Sequence, residues 1–146
     1  GDYMGGFSAV GLHNPKNPLN VGEALRACGC YGAAMIAVSG IRYRRACTDT
    51  QAAHRHIPLI ECDDLRNVIP FGASVVAVDL IDGATPLAGF KHPKSAFYIF
   101  GPEDGTLDIS WADEIVYIPT KYCMNLAATV NVALYDRQAK GLGKSF

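Results

Sequence analysis

The sequence predicts an α/β fold in which a mostly parallel sheet is flanked by helices. Short apolar runs that suit strands alternate along the chain with segments of helical spacing, and this alternation is typical of α/β proteins with a parallel sheet. The run from Ala96 to Phe100 is apolar throughout and has no helical period, as expected for a strand buried on both faces. It stops at the turn 101–105, Gly-Pro-Glu-Asp-Gly, which carries two carboxylates. Because open α/β sheets bind ligands beyond the carboxyl ends of their strands, this turn is a candidate site.

The composition is that of a folded domain without a general affinity for polyanions. Of the 146 residues, 49% are hydrophobic and 18% are charged, which disfavours disorder, and the length suits one domain. The formal net charge is −1, so binding of nucleic acid would need a local basic patch. We interpret residues 1–6 as a flexible N-terminus or a remnant of cloning, and residues 7–146 as a single domain.

The sequence predicts a cytoplasmic protein that neither spans a membrane nor binds a metal. No apolar run approaches the ~20 residues that cross a bilayer, and no signal-peptide pattern is present. The five cysteines are odd in number and lack C-x-x-C spacing, which indicates reduced structural thiols instead of disulfides or a zinc site. His54 and His56 have no third ligand at a suitable spacing, so we expect them on a solvated face.

The first strand is predicted at Phe7–Leu12, and a loop with two prolines, which restrict the backbone around them, follows it. Asn20 is a good N-cap for the next helix, and Glu23 stands three residues later in the reciprocal capping position. We expect the helix to end near Tyr31, because Gly32 suits a C-terminal stop.

The remaining elements continue the alternation of strands and helices. Further strands are predicted at Ala33–Val38, Ile57–Glu61, Ala73–Ile81 and Glu114–Ile118. Short helical segments are predicted at Thr48–His54, Cys62–Val68 and Leu107–Trp111, and a loop is predicted at Asp82–Leu87. A final helix is expected from about Met124 to Ala139, and it carries Leu126, Val130, Ala133, Leu134 and Arg137 at helical spacing.

Three loops that follow predicted strands carry an ordered set of motifs, and we call them the first, second and third motif loops: His13–Asn20, Gly101–Gly105 and Ile118–Asn125. The first motif pairs Asn20 with Arg26, six residues later in the same helix. The second ends a strand with Gly101-x-Glu103, and the third joins Ile118-Pro119 to the helix start 123–126, Cys-Met-Asn-Leu. In this order, and over nearly the whole chain, they resemble the motifs of the SpoU/TrmH-type RNA 2′-O-ribose methyltransferases of the SPOUT superfamily. The segment 134–136, Leu-Tyr-Asp, is similar to an aromatic-acidic pair in the last helix of that family.

The resemblance implies a SPOUT-type sheet with a deep C-terminal trefoil knot. It also implies S-adenosylmethionine as the cofactor, held largely by backbone groups. Family members are usually homodimers with a shared active site, in which Arg26 would face the cofactor of the other chain. The implied cofactor-binding residues are Leu80, Ile81, Phe100, Gly101, Glu103, Gly105, Ile118, Pro119, Cys123, Met124 and Leu126.

The reaction that the resemblance implies is transfer of a methyl group to a ribose 2′-hydroxyl of RNA. The implied catalytic residues are Arg26, Asn20, Glu103 and Asn125. Because an arginine stays protonated well above physiological pH, we prefer a role for Arg26 in gripping the target phosphate and stabilising the developing alkoxide. Proton abstraction by Arg26 stays open. Asn20 and Asn125 suit helix caps as well as site contacts, and we interpret Glu103 as a positioning group.

RNA is the expected partner, either tRNA or rRNA. A chain of this length, without a separate RNA-binding extension, favours a small shaped target such as a tRNA loop. Arg42, Arg44 and Arg45 surround Tyr43, and this cluster suits either contacts to RNA phosphates or a solvated loop.

Two other functions compete with this hypothesis. Thr106 stands where the second motif of the family has its last Gly, which falls one residue early at Gly105, and Cys123 replaces a common Ser. Together with the near-neutral charge, these differences make a catalytically weak RNA-binding module of the same fold conceivable. An ordinary doubly wound nucleotide-binding protein is less favoured, because no G-x-G-x-x-G follows the first strand.

Overall fold

The computed structural model describes residues 6–40, 57–79 and 84–142, and the strands in these ranges form one parallel sheet. The strands are β1 (Phe7–His13), β2 (Ile36–Ser39), β3 (Leu59–Cys62), β4 (Ser74–Val78), β5 (Thr85–Pro86), β6 (Ser95–Phe100) and β7 (Glu114–Tyr117). The helices of the described ranges are α1 (Pro18–Tyr31), α2 (Leu126–Ala139) and two short 3-10 helices, Leu65–Val68 and Leu87–Gly89. The strand order β3-β2-β1-β6-β4-β7-β5 confirms the predicted α/β fold.

β6 is the centre of the sheet, because it pairs with β1 on one side and with β4 on the other. Its residues from Ala96 to Phe100 are at most 1% exposed, as the apolar run predicts. The register places Leu12 of β1 beside Phe100 of β6, and Val78 of β4 beside the same phenylalanine. The carboxyl ends of the three strands therefore lie together at one edge of the sheet, which is where the candidate loops begin.

The two faces of the sheet carry separate hydrophobic cores. On one face α1 and α2 pack against each other and against the sheet, and Leu25 and Leu134 are among the buried side chains. On the other face, Leu65 of the first 3-10 helix and Leu107 of the β6–β7 connection belong to the same core as Phe97. Burial on both faces explains why the central strands are almost continuously apolar.

The start of α1 differs from the prediction. The N-cap is Asn17 and not Asn20, because the Asn17 side-chain oxygen accepts a hydrogen bond from the Leu19 N–H at 2.8 Å. Pro18 follows as the first helical residue, a position that suits proline since its φ fits the helix and its missing N–H leaves no donor unpaired. Asn20 consequently lies inside the first turn. The predicted stop is confirmed, since Gly32 closes the helix with φ 71°.

Other predicted segments also differ from the structure. Leu107–Trp111 is not helical, because Asp108 accepts a hydrogen bond from the Ser110 N–H and thereby stabilises a turn. The helical segment predicted from Cys62 begins later, as the 3-10 helix Leu65–Val68, with Asp64 as its N-cap. Part of the loop predicted at Asp82–Leu87 is β5, a short edge strand beside β7.

Some predicted features lie outside the described residues. These are the helix Thr48–His54, the RNA contacts of Arg42, Arg44 and Arg45, and the cofactor contacts of Leu80 and Ile81. The trefoil knot stays a prediction, because strand order does not determine how the connections are threaded. Neither α-helix in the described ranges is long and apolar enough to cross a membrane.

The cysteines in the described part of the chain are unpaired, and they differ in burial. Cys28 lies in the core, and its burial raises the pKa of the thiol to about 12. Cys30 and Cys123 are exposed. Burial is therefore not the reason for a cysteine at either of these positions.

Candidate active site

A cavity of about 260 Å³ opens at the carboxyl edge of the sheet, where β4, β6 and β7 end. Its wall comes from the ends of these strands, the connections that follow them and the first turn of α2. Two of the three motif loops therefore meet in one concave site, at the edge where α/β sheets bind ligands.

Most of the predicted cofactor-binding residues line this cavity. They are Phe100, Gly101, Glu103, Gly105, Ile118, Cys123, Met124 and Leu126. Pro119 is not among the lining residues, and Leu80 and Ile81 fall in a range that is not described. Sequence reasoning missed Val78, Asp79, Leu107 and Thr129, and it did not single out Pro102 and Thr120 within the second and third motif loops. Asp79 directly follows β4, and Thr129 lies four residues after Asn125. These positions could have indicated Asp79 and Thr129 as site residues.

Position 101 requires a glycine, because the chain there passes close to Leu107 beside the cavity. A Cβ atom added at this residue would lie 3.0 Å from the Cβ of Leu107, which is closer than side chains normally pack. Leu107 is only 7% exposed and holds the β6–β7 connection against the core. A larger residue at Gly101 would displace this connection, which forms part of the cavity wall.

Glu103 joins the second motif loop to the first. Its Oε1 accepts a hydrogen bond from the Lys16 N–H at 2.9 Å. Its Oε2 accepts hydrogen bonds from the Asn17 N–H at 3.2 Å and from Nδ2 of Asn20 at 2.8 Å. Partial burial raises the pKa of Glu103, but the hydrogen bonds from the Lys16 N–H and the Asn20 amide outweigh it, so the pKa lies below its ordinary value. Glu103 is therefore ionised at neutral pH, which suits a positioning group better than a proton acceptor.

Asn125 holds the start of α2, which carries the third motif. Its Oδ1 accepts a hydrogen bond from the Ala128 N–H at 2.7 Å, so this residue is the N-cap of the helix. Its backbone oxygen accepts a second bond from the Thr129 hydroxyl at 2.9 Å. Asn125 itself is exposed and does not line the cavity. It fixes the helix start from which Met124 and Leu126 reach the cavity.

Arg26 does not reach this cavity within one copy of the chain. It lies on the exposed side of α1, with its Nε 3.9 Å from Oε1 of Glu23, and the two side chains are 68% and 63% exposed. Glu23 thus contacts the next turn of the helix instead of closing the predicted capping box. Asn20, Glu23 and Arg26 follow at intervals of three residues and form one stripe along the helix. A role for Arg26 at a cofactor site consequently depends on a second copy of the chain.

The lining of the cavity is negatively charged and partly apolar. It contains the carboxylates of Asp79 and Glu103, and no Lys, Arg or His is among the lining residues in the described ranges. Leu107, Ile118 and Leu126 contribute apolar surface. This combination suits a small ligand that has a positive charge and an apolar or aromatic part. No group of three His, Cys, Asp or Glu side chains in the part of the chain that the structure describes could hold a metal ion.

Comparison with known protein families agrees with the fold and with the motif loops. The model of the SpoU rRNA methylase family matches residues 8–135. The chain belongs to this family. The family resemblance inferred from the three motifs is therefore confirmed. A comparison with curated protein sequences found no match.

Solved structures of RNA methyltransferases share the fold of this SpoU family chain. An AdoMet-bound rRNA methyltransferase from Sinorhizobium meliloti is 22% identical, with a TM-score of 0.80 over 94% of this chain and 57% of that chain. The TrmH/SpoU tRNA modifying enzyme of A. aeolicus is 19% identical, with a TM-score of 0.77 over 94% of this chain and 78% of that chain. A structure solved to explain the 2-OH methylation of C/U34 on tRNA is 23% identical, with a TM-score of 0.76 over 92% of this chain and 97% of that chain. The chain thus spans little more than half the length of the Sinorhizobium meliloti protein.

Proposed function

We propose that this chain is an RNA methyltransferase that uses S-adenosylmethionine to methylate a ribose 2′-hydroxyl. The observation that carries the proposal is the contact of Glu103 with the first motif loop and with Asn20. Because Glu103 also lines the cavity, this contact connects the first motif loop to the space that the other two motif loops line. Membership of the SpoU rRNA methylase family supports the same reaction class.

The residues of the cavity fit S-adenosylmethionine. When bound, this cofactor supplies a methyl group on a positively charged sulfonium. Asp79 and Glu103 give the lining the opposite charge, and the apolar side chains offer contacts to an adenine ring. Gly101 leaves its backbone accessible because it has no side chain. The AdoMet complex of the relative from Sinorhizobium meliloti supports this assignment.

We assign the acceptor side of the site to the first motif loop. A ribose hydroxyl is a weak acid, so the protein must align its oxygen with the methyl carbon and stabilise the negative charge that develops on it. Glu103 lines the cavity and holds this loop through the hydrogen bond from Asn20. Arg26 of a second copy would bind the target phosphate and stabilise the alkoxide, since its guanidinium keeps its charge. The proposal therefore includes a homodimer with shared sites.

Within this reaction class we favour tRNA over rRNA as the substrate. Two of the similar structures concern tRNA, namely the A. aeolicus enzyme and the structure for C/U34 methylation. The enzyme from Sinorhizobium meliloti acts on rRNA. The substrate class is therefore a point that the experiment must decide.

Methyl transfer to total RNA tests the proposed function. The purified protein is incubated with S-adenosylmethionine labelled in its methyl group, and the RNA is fractionated by size and digested to nucleosides. We expect the label in ribose-methylated nucleosides from the tRNA fraction. Label on bases alone would contradict the 2′-O assignment, and label in rRNA alone would contradict the choice of tRNA. No transfer to any RNA would contradict the enzymatic function.

Calorimetry separates the methyltransferase from a catalytically weak RNA-binding module with the same fold. We expect S-adenosylhomocysteine, the product form of the cofactor, to bind with one site per chain. RNA binding without any binding of S-adenosylhomocysteine would favour the module. Gly101→Val is the control variant, because its side chain would collide with Leu107 and distort the cavity wall.

A further inference from the structure

A second cavity, of about 210 Å³, opens at the same edge of the sheet. Its wall includes His13, Asp63, Asp64, Arg66, Asp108 and Trp111. These residues come from the end of β1, from the segment after β3 and from the β6–β7 connection. Leu107 lines both cavities, so the second cavity adjoins the first. None of the polar groups of the second cavity has a part in the function proposed above.

We propose that the second cavity binds the base of the nucleotide whose ribose is methylated, and that this base carries an amino group on its Watson–Crick edge. Cytosine, adenine and guanine meet this condition, and uracil does not. The inference rests on the proposed function, which places the acceptor ribose beside the first cavity. Because a base is bonded directly to its ribose, it must occupy space that adjoins the methyl donor. The second cavity provides that space across the side chain of Leu107.

Trp111 gives the second cavity an aromatic wall. Its indole ring is partly buried against the core that contains Phe97 and Leu107, and it also lines the cavity. Proteins that recognise single-stranded RNA stack unpaired bases on aromatic rings and read the edges of those bases by hydrogen bonds. A ring that packing already holds in place loses little conformational freedom when a base stacks on it.

The polar groups beside Trp111 are mainly carboxylates, and contacts hold two of them, Asp64 and Asp108, in place. Asp64 and Arg66 form an ion pair with 2.6 Å between Oδ2 and NH2, and Nε of Arg66 donates a further bond to the same carboxylate. Asp108 accepts a hydrogen bond from the Ser110 N–H through Oδ1 at 3.0 Å. A carboxylate has roughly four lone-pair sites, so Asp108 keeps acceptor capacity for a ligand. An amino group on a base is a donor that such carboxylates accept.

The charge of the lining selects against other ligands. Three aspartates and one arginine leave it negative, so a phosphate group would be repelled. A metal ion is not favoured either, because the described ranges contain no group of three His, Cys, Asp or Glu side chains that could hold one. Uracil has only its N3–H as a donor, and two carbonyl oxygens that the carboxylates would repel flank this N–H. An exocyclic amino group of cytosine, adenine or guanine offers these carboxylates two N–H donors.

The fluorescence of Trp111 tests base binding directly, because it is the single tryptophan of the chain. Five short single-stranded RNAs that differ only in one central position (C, A, G, U or abasic) are titrated in the presence of S-adenosylhomocysteine. We expect quenching by the C, A and G oligonucleotides, and about tenfold weaker binding of the U and abasic oligonucleotides. Equal quenching by all five RNAs, or quenching by none, would overturn the proposal.

Asp63→Asn separates base recognition from folding, because Asp63 is exposed. We expect the variant to lose most of its discrimination between the C and U oligonucleotides, and to keep the wild-type affinity for the abasic one. Glu114→Gln is the matched control, since it removes an exposed carboxylate at the start of β7, and it should leave the discrimination unchanged. Unchanged discrimination in both Asp63→Asn and Asp108→Asn would overturn the role of the carboxylates.

Failure of this inference can be told apart from failure of the proposed function. If ribose methylation occurs but shows no preference among target bases, the base site is wrong and the enzymatic function stands. If quenching depends on the base but no RNA is methylated, the enzymatic function is wrong, and the second cavity binds a base that is not a target of methylation.

Discussion

The two ends of the parallel sheet differ in the exposure of their charged side chains. At the carboxyl end, the carboxylates of Glu103 and Asp63 are exposed and border two cavities. At the amino end, β1 and β6 begin beside the last turns of α2, and polar side chains are buried there in a closed network. Buried hydrogen bonds therefore stabilise the fold at the amino end, whereas the loops at the carboxyl end are open to ligands.

Arg137 is the centre of the network at the amino end, and it is 4% exposed. Its NH1 donates hydrogen bonds to the Pro93 carbonyl at 2.7 Å and to the Tyr98 hydroxyl at 3.1 Å. Its NH2 donates to the backbone oxygens of Lys94 and Phe7. One guanidinium from α2 thereby ties together the segments that start both β6 and β1.

His92 extends this network as a neutral imidazole. Because a guanidinium can only donate, the Tyr98 oxygen accepts from Arg137 and its hydroxyl donates to Nδ1 of His92 at 2.7 Å. The other ring nitrogen, Nε2, then carries the proton and donates to Oδ2 of Asp136 at 2.7 Å. Burial lowers the pKa of His92, and the hydrogen bond and charge of Asp136 oppose this only in part.

Loss of the hydrogen-bond network at the amino end is expected to have the largest effect on stability. Arg137→Met would leave buried carbonyl groups without their donor, so we expect the free energy of unfolding to fall by about 3–5 kcal/mol. The same change at Arg66, an exposed arginine of the carboxyl end, should lower it by less than about 1 kcal/mol. Urea unfolding of both variants measures these two changes in the free energy of unfolding. Equal losses would show that the two ends do not differ in their contribution to stability.

Arg26→Ala is expected to change activity without changing stability. The side chain is exposed and lies outside the cavity, so the free energy of unfolding and the affinity for S-adenosylhomocysteine should stay at wild-type values. Methyl transfer should fall by about 10²–10³, the range for loss of a group that stabilises transition-state charge. Calorimetry and methyl-transfer rates on the same preparation check both statements. Loss of cofactor affinity would show that Arg26 acts on the methyl donor and not on the RNA.

Mixed dimers test whether Arg26 acts in the site of the other copy. Arg26→Ala and Gly101→Val are each expected to be inactive. In a mixed dimer with shared sites, one site combines the intact cavity of one copy with the intact Arg26 of the other. Equal amounts of the two chains should therefore recover about a quarter of the wild-type activity. Mixed dimers that are isolated by two different tags and stay inactive would exclude a shared site.

Glu103→Gln weakens the connection between the first two motif loops. A glutamine has a single acceptor oxygen, and its amide would point donors at the N–H groups of Lys16 and Asn17. We expect methyl transfer to fall by about tenfold to a hundredfold, and the free energy of unfolding to fall by only about 1 kcal/mol because the site is exposed. Asp104→Asn in the same turn is the control, since Asp104 does not line the cavity. An equal loss in both variants would indicate that the charge of the turn matters and not the contact.

The sequence predicted the strands better than their connections, for a physical reason. A strand such as β6 is recognisable because burial on both faces requires a continuous apolar run. The start of α1 was misjudged because two asparagines three residues apart both suit an N-cap, and the decisive signal was Pro18 after Asn17. Leu107–Trp111 was predicted to be helical, but Asp108 bonds locally and favours a different turn.

The sequence predicted the site residues that stand in motifs. It did not predict the residues that only tertiary contacts bring together. Gly101 and Met124 stand in motifs, and both line the first cavity. The burial of Arg137 followed from helical spacing, but its partners lie far away in the chain, so no local pattern reveals them. The second cavity is hidden in the same way, because His13 and Trp111 meet only after the sheet has formed.

The smallest predicted effect is a pH dependence of stability that comes from the amino end. The folded chain keeps the pKa of His92 below its unfolded value near 6.5, so below that pH the unfolded chain binds a proton that the folded chain does not. The free energy of unfolding should therefore fall as the pH decreases towards the folded-state pKa, by at most about 1.4 kcal/mol per pH unit.

His92→Gln isolates this contribution, because glutamine offers an acceptor to the Tyr98 hydroxyl and a donor to Asp136 but does not titrate. Urea unfolding from about pH 7 to about pH 5 should give a smaller slope for the variant than for the wild type. Asp136, Lys140 and Arg137 also face His92, and they are present in both proteins, so the difference in slope belongs to the imidazole. Equal slopes would mean that folding does not change the protonation of His92, and this prediction would then be wrong.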